Sequence, residues 1–301
     1  MKLNTNQHIP QADPYVIKAR NKYYMYVTGE KGVMLFESDN FSFWKELGIC
    51  YKKFGEFNYW APSVIEIGDK YYMYVSSMPE GETDTHKERI QVAVSSSPSG
   101  PFHFIRFITP EFSIDPHVVK SGDDLYIFYS LNIYKADRVG TVVVLDKMYS
   151  PLEVVGEPKV VVRPTLDEEI FMKDRFKKGE HWHTIEGPFY YRKGNYHYLF
   201  YSGNCYQNEN YFVGYAVAYG DTDDLLSLDF KKYPSDNVYS PLLRKNEFEE
   251  GTGHNSVLDV GDKTYLIYHG RDYNLKDKGD QRTARFCEIK FDKEIIKIEK
   301  R

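Results

Sequence analysis

Five segments of the chain repeat one pattern of apolar and polar positions. In each segment a short motif leads, ten positions after its proline or asparagine, to an apolar run that begins with tyrosine. A turn of Gly, Asp, Lys or Asn residues separates the two halves, and the flanking runs are aromatic and β-branched, which is typical of strands. Each segment therefore predicts a β-hairpin. The motifs centre on Pro14, Pro62, Pro116, Pro188 and Asn255, and the runs begin at Tyr24, Tyr72, Tyr126, Tyr198 and Tyr265.

The spacing of the hairpins indicates how they are arranged. They begin about 50 to 70 residues apart, with further short apolar runs between them, such as residues 90–95 and 140–145. Propeller blades are four-stranded sheets of similar length, and strong helical periodicity is absent. The sequence therefore predicts an all-β, five-bladed β-propeller forming a single domain over residues 1–301. A β-sandwich and a right-handed parallel β-helix are the rivals, and the repeats of a β-helix are much shorter.

Three local expectations follow from the same pattern. Gly187-Pro188 is expected at the start of its strand, because a proline without an N–H is tolerated at a strand entrance. Residues 164–183 lack a clear strand pattern and predict a loop or short helix beside the active face. The alternating run 284–292 is expected to complete the last blade.

One position of the repeat varies in a way that packing does not explain. The first strand of every propeller blade lines the central channel, so the residues just before the proline position form a ring. Those residues are Asp13, Ala61, Asp115, Gly187 and His254, and Glu186 stands directly before Gly187. Asp-Pro and Gly-Pro also occur in ordinary turns. Carboxylates that converge in one funnel, however, indicate acid–base chemistry or cation binding.

Composition narrows the class of protein. The 301 residues are 42% hydrophobic and include 27 Tyr and 19 Phe, with a formal net charge of −5. Because there is no basic excess, neither nucleic acid nor an anionic membrane is expected as a partner. The three cysteines, Cys50, Cys205 and Cys287, are far apart and predict reduced, buried thiols. No signal peptide is visible in the first seven residues, so the cytoplasm is the expected compartment.

Three carboxylates without an obvious nucleophile favour glycoside hydrolysis, in which one carboxylic acid protonates the leaving oxygen and another carboxylate acts on the opposite face of the sugar. The chain contains no GxSxG, HExxH or P-loop motif, which weakens esterase, metalloprotease and nucleotide-binding interpretations.

The motifs around these carboxylates also resemble a known family. They are Ala12-Asp13-Pro14, Ser113-Ile114-Asp115-Pro116-His117 and Thr184-Ile185-Glu186-Gly187-Pro188, with support from Trp60-Ala61-Pro62 and from residues 251–256. The order Asp, Asp, Glu with these flanks resembles glycoside hydrolase family 43, whose fold is a five-bladed β-propeller. The resemblance extends from Asp13 to about Phe291.

The resemblance implies an inverting hydrolase and a role for each carboxylate. Asp13 would be the general base that deprotonates the attacking water, and Glu186 the general acid. Asp115 would raise the pKa of Glu186 and help to orient it. Inversion would require about 6.5–9.5 Å between the two catalytic carboxyl groups, to leave room for water.

Four further residues are candidates for substrate binding. Trp60 would form a wall of the sugar pocket, and His117 lies on the same rim as Asp115 and would bind substrate or fill the channel. Arg282 resembles a sugar-binding arginine of related enzymes, with Arg285 as the competing candidate. The resemblance places His254 near the propeller axis, beside calcium, another cation or ordered water. No cofactor is expected for the chemistry itself.

The expected substrate is a small, pentose-containing oligosaccharide from plant polysaccharide, and the expected activity is that of an exo-acting or oligosaccharide-trimming α-L-arabinofuranosidase. β-Xylosidase and arabinanase activities of the same family are the alternatives. A propeller that binds glycans without cutting them would be expected to lack at least one carboxylate. A fructan- or sucrose-cleaving propeller would open with Asn-Asp-Pro, whereas Ala12 precedes Asp13 here.

Overall fold

The structure is a computed structural model in which residues 4–5, 10–275 and 277–300 are described. The N-terminal heptapeptide, on which the expected cytoplasmic location depends, lies outside these residues except for positions 4 and 5. The described chain is almost entirely β-structure. Its helices are single 3-10 turns at Thr85–Lys87, Asp167–Glu169 and Leu225–Ser227. None of these is long and apolar enough to cross a membrane.

The strands form five consecutive blades, in which neighbouring strands are antiparallel except that β1 runs parallel to β5. Blade 1 contains β1 (Asn4–Thr5), β2 (Tyr15–Ala19), β3 (Lys22–Val27), β4 (Val33–Ser38) and β5 (Phe43–Tyr51). Blade 2 contains β6 (Glu56–Ile67), β7 (Lys70–Pro79), β8 (Arg89–Ser95) and β9 (His103–Phe107). Blade 3 contains β10 (Ser113–Ser121), β11 (Asp124–Ile133), β12 (Gly140–Ser150), β13 (Glu153–Val154) and β14 (Lys159–Val162). Blade 4 contains β15 (Ile170–Met172), β16 (Trp182–Lys193), β17 (Tyr196–Gly203), β18 (Phe212–Tyr219) and β19 (Lys231–Lys232). Blade 5 contains β20 (Glu249–Val260), β21 (Lys263–Asp272), β22 (Thr283–Asp292) and β23 (Ile295–Lys300).

The first long strands of the five blades, β2, β6, β10, β16 and β20, contact one another in a closed ring. Hydrogen bonds between blades 5 and 1 close this ring. The Ser256 hydroxyl donates to the Pro14 carbonyl at 2.8 Å, and the Gln11 N–H donates to the Arg282 carbonyl at 2.9 Å. The predicted five-bladed β-propeller is confirmed.

Blades 3 and 4 share one continuous sheet, which the repeat pattern does not predict. Strand β12 pairs with β16 in parallel, with Gly140 opposite His183 and Thr141 opposite Thr184. A Cβ atom on Gly140 would lie 2.0 Å from the His183 carbonyl oxygen, so the two backbones can approach only because this residue is glycine.

The same backbone kink occurs once in every blade, at the variable position of the repeat. The five residues there have positive φ: 54° at Asp13, 45° at Ala61, 58° at Asp115, 61° at Gly187 and 49° at His254. In blades 2 to 5 this kink coincides with a shift in the pairing register of the first strand. Each first strand of these blades therefore contains a β-bulge at the ring position.

The bulge corrects the expectation that Gly187-Pro188 begins a strand. Strand β16 begins at Trp182, and Pro188 lies within it. Pairing with β17 is interrupted between Glu186 and Phe189. Pro188 lies in this interruption, so its lack of an N–H costs the sheet no hydrogen bond.

Two other local expectations also need correction. The run 284–292 forms β22, but it does not complete blade 5, because β23 follows as the outermost strand. Residues 164–183 are not only loop or helix, since they contain the 3-10 turn Asp167–Glu169 and strand β15.

Residues 164–183 are fastened to blade 4 by a buried ion pair. The Lys232 Nζ lies 2.5 Å from Glu169 Oε1, and the two side chains are 2% and 0% exposed. The other carboxylate oxygen of Glu169 accepts the N–H groups of Thr165 and Leu166 at 2.7 and 3.0 Å. The pair therefore holds both ends of the 3-10 turn.

Replacing Lys232 by Met is expected to lower the free energy of unfolding by about 3–5 kcal/mol, because Glu169 would be left charged and buried without its partner. Urea denaturation measures this change. Lys231→Met is the matched control: its side chain is 63% exposed and pairs with the exposed Asp229, so it should change stability by less than about 1 kcal/mol. Equal effects of the two substitutions would contradict the structural role of the pair.

Candidate active site

A pocket of about 90 Å³ opens at one end of the ring of first strands and brings the three predicted carboxylates together. Trp60, His254 and Arg282 also line it, as predicted from the sequence. The complete lining is Asp13, Thr28, Trp60, Ile114, Asp115, Glu186, Tyr206, Tyr211, His254 and Arg282.

The bulges explain why so many of these side chains come from the first strands. Side chains alternate across a regular strand, so only one of two neighbours would face the pocket. At a bulge two successive residues oppose one partner residue, and the alternation is broken. Ile114 and Asp115 of β10 both line the pocket for this reason. In β16 the bulge position is Gly187, so the preceding Glu186 supplies the functional side chain.

Three nitrogen-containing side chains surround one carboxylate oxygen of Asp13. Its Oδ1 lies 3.1 Å from His269 Nδ1, 3.3 Å from His254 Nδ1 and 3.5 Å from an Arg282 nitrogen. Burial would raise the pKa of Asp13, but His254, Arg282 and His269 outweigh it and hold this pKa well below its usual range. Asp13 is therefore ionised at neutral pH.

The permanent positive charge beside Asp13 is Arg282. Burial lowers the pKa of His269 to about 4 and also lowers the pKa of His254, although Asp13 opposes both shifts. Both imidazoles are therefore neutral near pH 7. Arg282 is fixed by two bonds from its guanidinium to the Asp280 carboxylate, at 3.0 and 2.8 Å, and lies 4.3 Å from the centre of the Tyr206 ring.

The other oxygen of Asp13 is oriented by a threonine. The Thr28 hydroxyl donates to Asp13 Oδ2 at 2.5 Å and accepts the N–H of Ala61 at 2.8 Å. The hydroxyl can only accept from the Ala61 N–H, so its single proton is available for the bond to the carboxylate of Asp13. Both oxygens of Asp13 are thus positioned by the fold.

Glu186 has the opposite character. Burial raises its pKa to about 7, and the negative charge of Asp13 adds to this shift. A hydrogen bond of 2.7 Å from the Tyr211 hydroxyl to Oε1 opposes it, because the bond stabilises the carboxylate. One pocket thus contains an ionised Asp13 and a Glu186 that is half protonated near neutral pH.

Asp115 is buried and only 6% exposed, and its Oδ2 accepts the N–H of Gly187 at 2.9 Å. Its pKa is raised well above the usual value by burial and then by the charges of Glu186 and Asp13. Mutual repulsion between Asp115 and Glu186 means that whichever ionises second does so at higher pH. Asp115 also fixes the backbone that immediately follows Glu186.

Two glycines make room for this arrangement. A Cβ atom on Gly253 would lie 1.9 Å from the Tyr211 ring, so a side chain there would displace the donor to Glu186. A Cβ atom on Gly187 would lie 3.1 Å from the His254 ring. The pocket therefore depends on small residues in β16 and β20 as much as on its polar ones.

The loop between β17 and β18 supplies Tyr206 and Tyr211. A buried arginine, Arg271, holds it by donating to the carbonyls of Tyr206 and Gln207 at 2.9 and 3.1 Å. Arg271 is itself paired with Glu250 at 3.1 Å. Nothing in the repeat pattern marks this loop as functional, so sequence reasoning missed both tyrosines.

Thr28 and His269 were also missed, although the sequence carried a signal for them. Both stand four residues after the aligned tyrosine that begins the apolar run of their hairpin. The residues at this position in the five blades are Thr28, Ser76, Ser130, Ser202 and His269. Ser202 accepts the N–H of His254 at 2.7 Å, as Thr28 accepts that of Ala61. In blades 1 and 4 this position thus links the blade to the ring residue of the next blade.

Two candidates are not brought into the pocket. His117 is 4% exposed and stacks on Phe189 at 4.2 Å, with its Nδ1 3.3 Å from the Tyr15 hydroxyl. It fills the channel, which was the second of the two expectations for it. Arg285 pairs with Glu249 and Asp272 at 3.0 and 2.9 Å instead of lining the pocket.

The side chains around His254 do not fit a calcium ion held by the protein. The described residues contain no group of three or more His, Cys, Asp or Glu side chains that could hold a metal ion. His254 and His269 both direct Nδ1 towards Asp13, and the buried Nε2 of His269 has no hydrogen-bond partner among the described residues. A hard cation requires a set of oxygen ligands. The central cation stays a prediction.

Tyr211→Phe is expected to move the basic limb of the pH–rate profile upwards. The substitution removes the hydrogen bond that favours the ionised form of Glu186, so the pKa of Glu186 rises above about 7 and the acid stays protonated to higher pH. The ring itself remains stacked on His269. The pH dependence of kcat/KM measures this shift, and a downward shift would contradict the assigned hydrogen bond.

Comparison with known proteins agrees with this geometry. The profile of the glycosyl hydrolases family 43 matches residues 8–294. An extracellular exo-α-(1→5)-L-arabinofuranosidase of Streptomyces chartreusis is 26% identical over 225 residues, which cover 71% of this chain and 63% of that protein. The chain thus spans less than two thirds of that relative.

Solved structures show the same likeness. A thermostable family-43 glycoside hydrolase superposes with a TM-score of 0.81 at 29% identity, over 96% of this chain and 93% of that one. An endo-1,4-β-xylanase of Bacteroides thetaiotaomicron superposes with a TM-score of 0.75 at 26% identity, over 97% and 95% of the two chains. Because the family profile covers nearly its whole length, the chain belongs to the glycosyl hydrolases of family 43.

Proposed function

We propose that this protein is an inverting glycoside hydrolase that releases single pentose residues, α-L-arabinofuranose in particular, from plant-derived oligosaccharides. The observation that carries the proposal is the pair of unlike carboxyl groups in one pocket. Asp13 is held ionised by Arg282, while burial and Asp13 raise the pKa of Glu186 to about 7. Two carboxyl groups whose environments separate their pKa values are suited to base and acid roles.

In the proposed reaction, water attacks the anomeric carbon while Asp13 takes a proton from it. The bond from that carbon to the leaving oxygen breaks, and Glu186 gives its proton to this oxygen. The cycle ends with Asp13 protonated and Glu186 ionised, and exchange with solvent restores both. Thr28 and Arg282 would orient Asp13 throughout, and Tyr211 would stabilise Glu186 after it has lost its proton.

The size of the pocket supports release of one sugar at a time. Its volume of about 90 Å³ is well below the roughly 300–1,000 Å³ of pockets that hold drug-sized ligands. Trp60, half-buried at the wall, offers a flat aromatic face to the C–H surface of a sugar ring. The similarity of this chain to an exo-α-(1→5)-L-arabinofuranosidase also supports arabinofuranose as the proposed pentose.

A panel of p-nitrophenyl pentosides tests the proposal, with the anomer of the first product followed by NMR. We expect the fastest hydrolysis with the α-L-arabinofuranoside and a first product of inverted configuration. Preference for the β-D-xylopyranoside would indicate that the activity is that of a β-xylosidase. Cleavage of internal bonds of arabinan would indicate an arabinanase. Binding without hydrolysis of any pentoside would refute the catalytic proposal and favour a glycan-binding propeller.

Asp115→Asn is expected to shift the basic limb of the pH–rate profile downwards by about one pH unit. Asp115 and Glu186 repel each other once both are ionised, so the pair loses its last proton at a higher pH than a single carboxyl group would. With an amide at position 115 this repulsion is absent, so Glu186 loses its proton at lower pH. The amide oxygen can still accept the Gly187 N–H, so the local backbone bond is retained. The shift is opposite in sign to that of Tyr211→Phe, and two shifts in the same direction would disprove one of these assignments.

A further inference from the structure

A second pocket adjoins the first on the side of Glu186. Its volume is about 290 Å³, and it shares Trp60, Ile114, Glu186 and Tyr206 with the pocket that contains the carboxylates. Since a general acid faces the leaving group, the side on which Glu186 is shared is where the rest of an oligosaccharide would lie. The second pocket is therefore placed to receive the leaving sugar.

Residues 164–183 give this second pocket a positive charge. Arg175 lines it, with its guanidinium 4.5 Å from the centre of the Trp182 ring. A guanidinium nitrogen of Arg175 also lies 3.5 Å from His86 Nε2. Stacking on an aromatic face fixes the plane of the guanidinium while leaving its N–H edge available.

Arg175 has no carboxylate partner among the described residues. Two carboxylates in its neighbourhood have other partners: Asp84 bonds to His86 at 2.6 Å, and Glu180 bonds to Lys177 at 2.8 Å. Asp174 accepts the Gly179 N–H at 2.7 Å. An arginine oriented in this way, half-buried at a pocket wall, is suited to bidentate contact with a carboxylate of the ligand.

We propose that the second pocket selects substrates whose leaving sugar is a uronic acid, and that Arg175 binds its carboxylate. This inference rests on the proposed function, because it assumes that Glu186 protonates the bond between the two pockets. Phe112, Phe171 and Trp182 supply the apolar part of the pocket against which the sugar ring would lie. Arg175 is then a residue that determines specificity for the leaving group and takes no part in the proton transfers.

The test uses two pentosyl disaccharides whose leaving sugars differ only at C6, one a hexose and the other the corresponding hexuronic acid. We expect the enzyme to favour the acidic disaccharide by about tenfold in kcat/KM, and this ratio to fall as salt is raised. Arg175→Met should bring the ratio to about one, and Arg175→Lys should retain part of it because the charge remains. A ratio near one in the unmodified enzyme, or a ratio that Arg175→Met leaves unchanged, would overturn the inference.

Lys178→Met is the matched control, since it removes a charge from the same segment. The Lys178 side chain is exposed and does not line the pocket, so the ratio should be unchanged. A fall equal to that of Arg175→Met would show a general electrostatic effect and no specific contact. Thermal unfolding of each variant establishes that it is folded.

Calorimetric binding of both disaccharides to a Glu186→Gln variant separates this inference from the proposed function. Selective binding of the acidic disaccharide that is lost in the Glu186→Gln, Arg175→Met double variant would support the Arg175 site even if no pentoside were hydrolysed. Hydrolysis of simple pentosides without any preference in either assay would leave the proposed function standing and reject the uronate site.

Discussion

Replacing Glu186 by Ala is expected to lower kcat/KM for natural oligosaccharides by about 10²–10⁴-fold, which is the usual contribution of a general acid. The loss should be much smaller for a pentoside whose leaving group is an acidic phenol. Such a phenol leaves as its anion without help, whereas a sugar alcohol needs the proton that Glu186 donates. The half-buried position of Glu186 in the pocket and its pKa of about 7 are the reasons for assigning it this role.

A series of aryl pentosides with phenols of increasing acidity measures this effect. In the Glu186→Ala variant, the rate should depend more steeply on phenol acidity than in the unmodified enzyme. The basic limb near pH 7 should also disappear, because the group that titrates there is gone. Tyr211→Phe serves as the control, since it changes the surroundings of Glu186 but keeps the acid. A loss independent of the leaving group would show that Glu186 acts in another way.

The fold and the three carboxylates could be predicted from the sequence because a repeat places equivalent positions around one axis. Asp13, Asp115 and Glu186 interrupt a pattern that packing alone would fill with small or apolar residues. The structure brings all three into one pocket, together with Trp60, His254 and Arg282. Alignment of the first strands was therefore sufficient to locate the site.

The surroundings of the carboxylates could not be predicted in the same way. Tyr211 reaches Glu186 only because Gly253, on another blade, leaves room for its ring. Such a contact depends on two segments that have no sequence relation to each other. His269 stands four residues after Tyr265, as Thr28 does after Tyr24, so the repeat itself marks this position. His117 shows the opposite error, because a polar residue on a first strand can fill the channel instead of the pocket.

The bulges explain a further part of what sequence reasoning misjudged. A proline within a strand is normally read as the start of that strand, yet Pro188 lies inside β16 at an interruption of the ladder. The repeat of positive φ at the ring position shows that all five blades share this kink, including the blade whose ring residue is Ala61. In β10 the kink brings two successive side chains, those of Ile114 and Asp115, to the pocket, which a regular strand would not allow.

Replacing Asp13 by Ala is expected to lower kcat/KM by about 10³–10⁴-fold for oligosaccharides and for acidic aryl pentosides alike. The attacking water lacks its base in both cases, so a better leaving group does not compensate. Positive φ at position 13 should not prevent folding, since Ala61 occupies the equivalent position at φ 45°. Asp13→Gly, which has no side-chain strain at positive φ, provides a second variant for the same measurement.

Azide gives the sharper form of this test, because it needs no base to act as a nucleophile and can enter the space left by the carboxylate. In the Asp13→Ala and Asp13→Gly variants, any rate recovered with azide and an acidic aryl pentoside should yield a glycosyl azide of inverted configuration. Arg282 would still stand beside that space, and its positive charge favours a small anion there. The acid variant Glu186→Ala keeps Asp13, whose negative charge repels an anion at this position, so azide should not yield an inverted azide with it. Retained configuration in the product, or equal dependence of the Asp13 and Glu186 variants on leaving-group acidity, would show that the two carboxyl groups do not divide the reaction into base and acid.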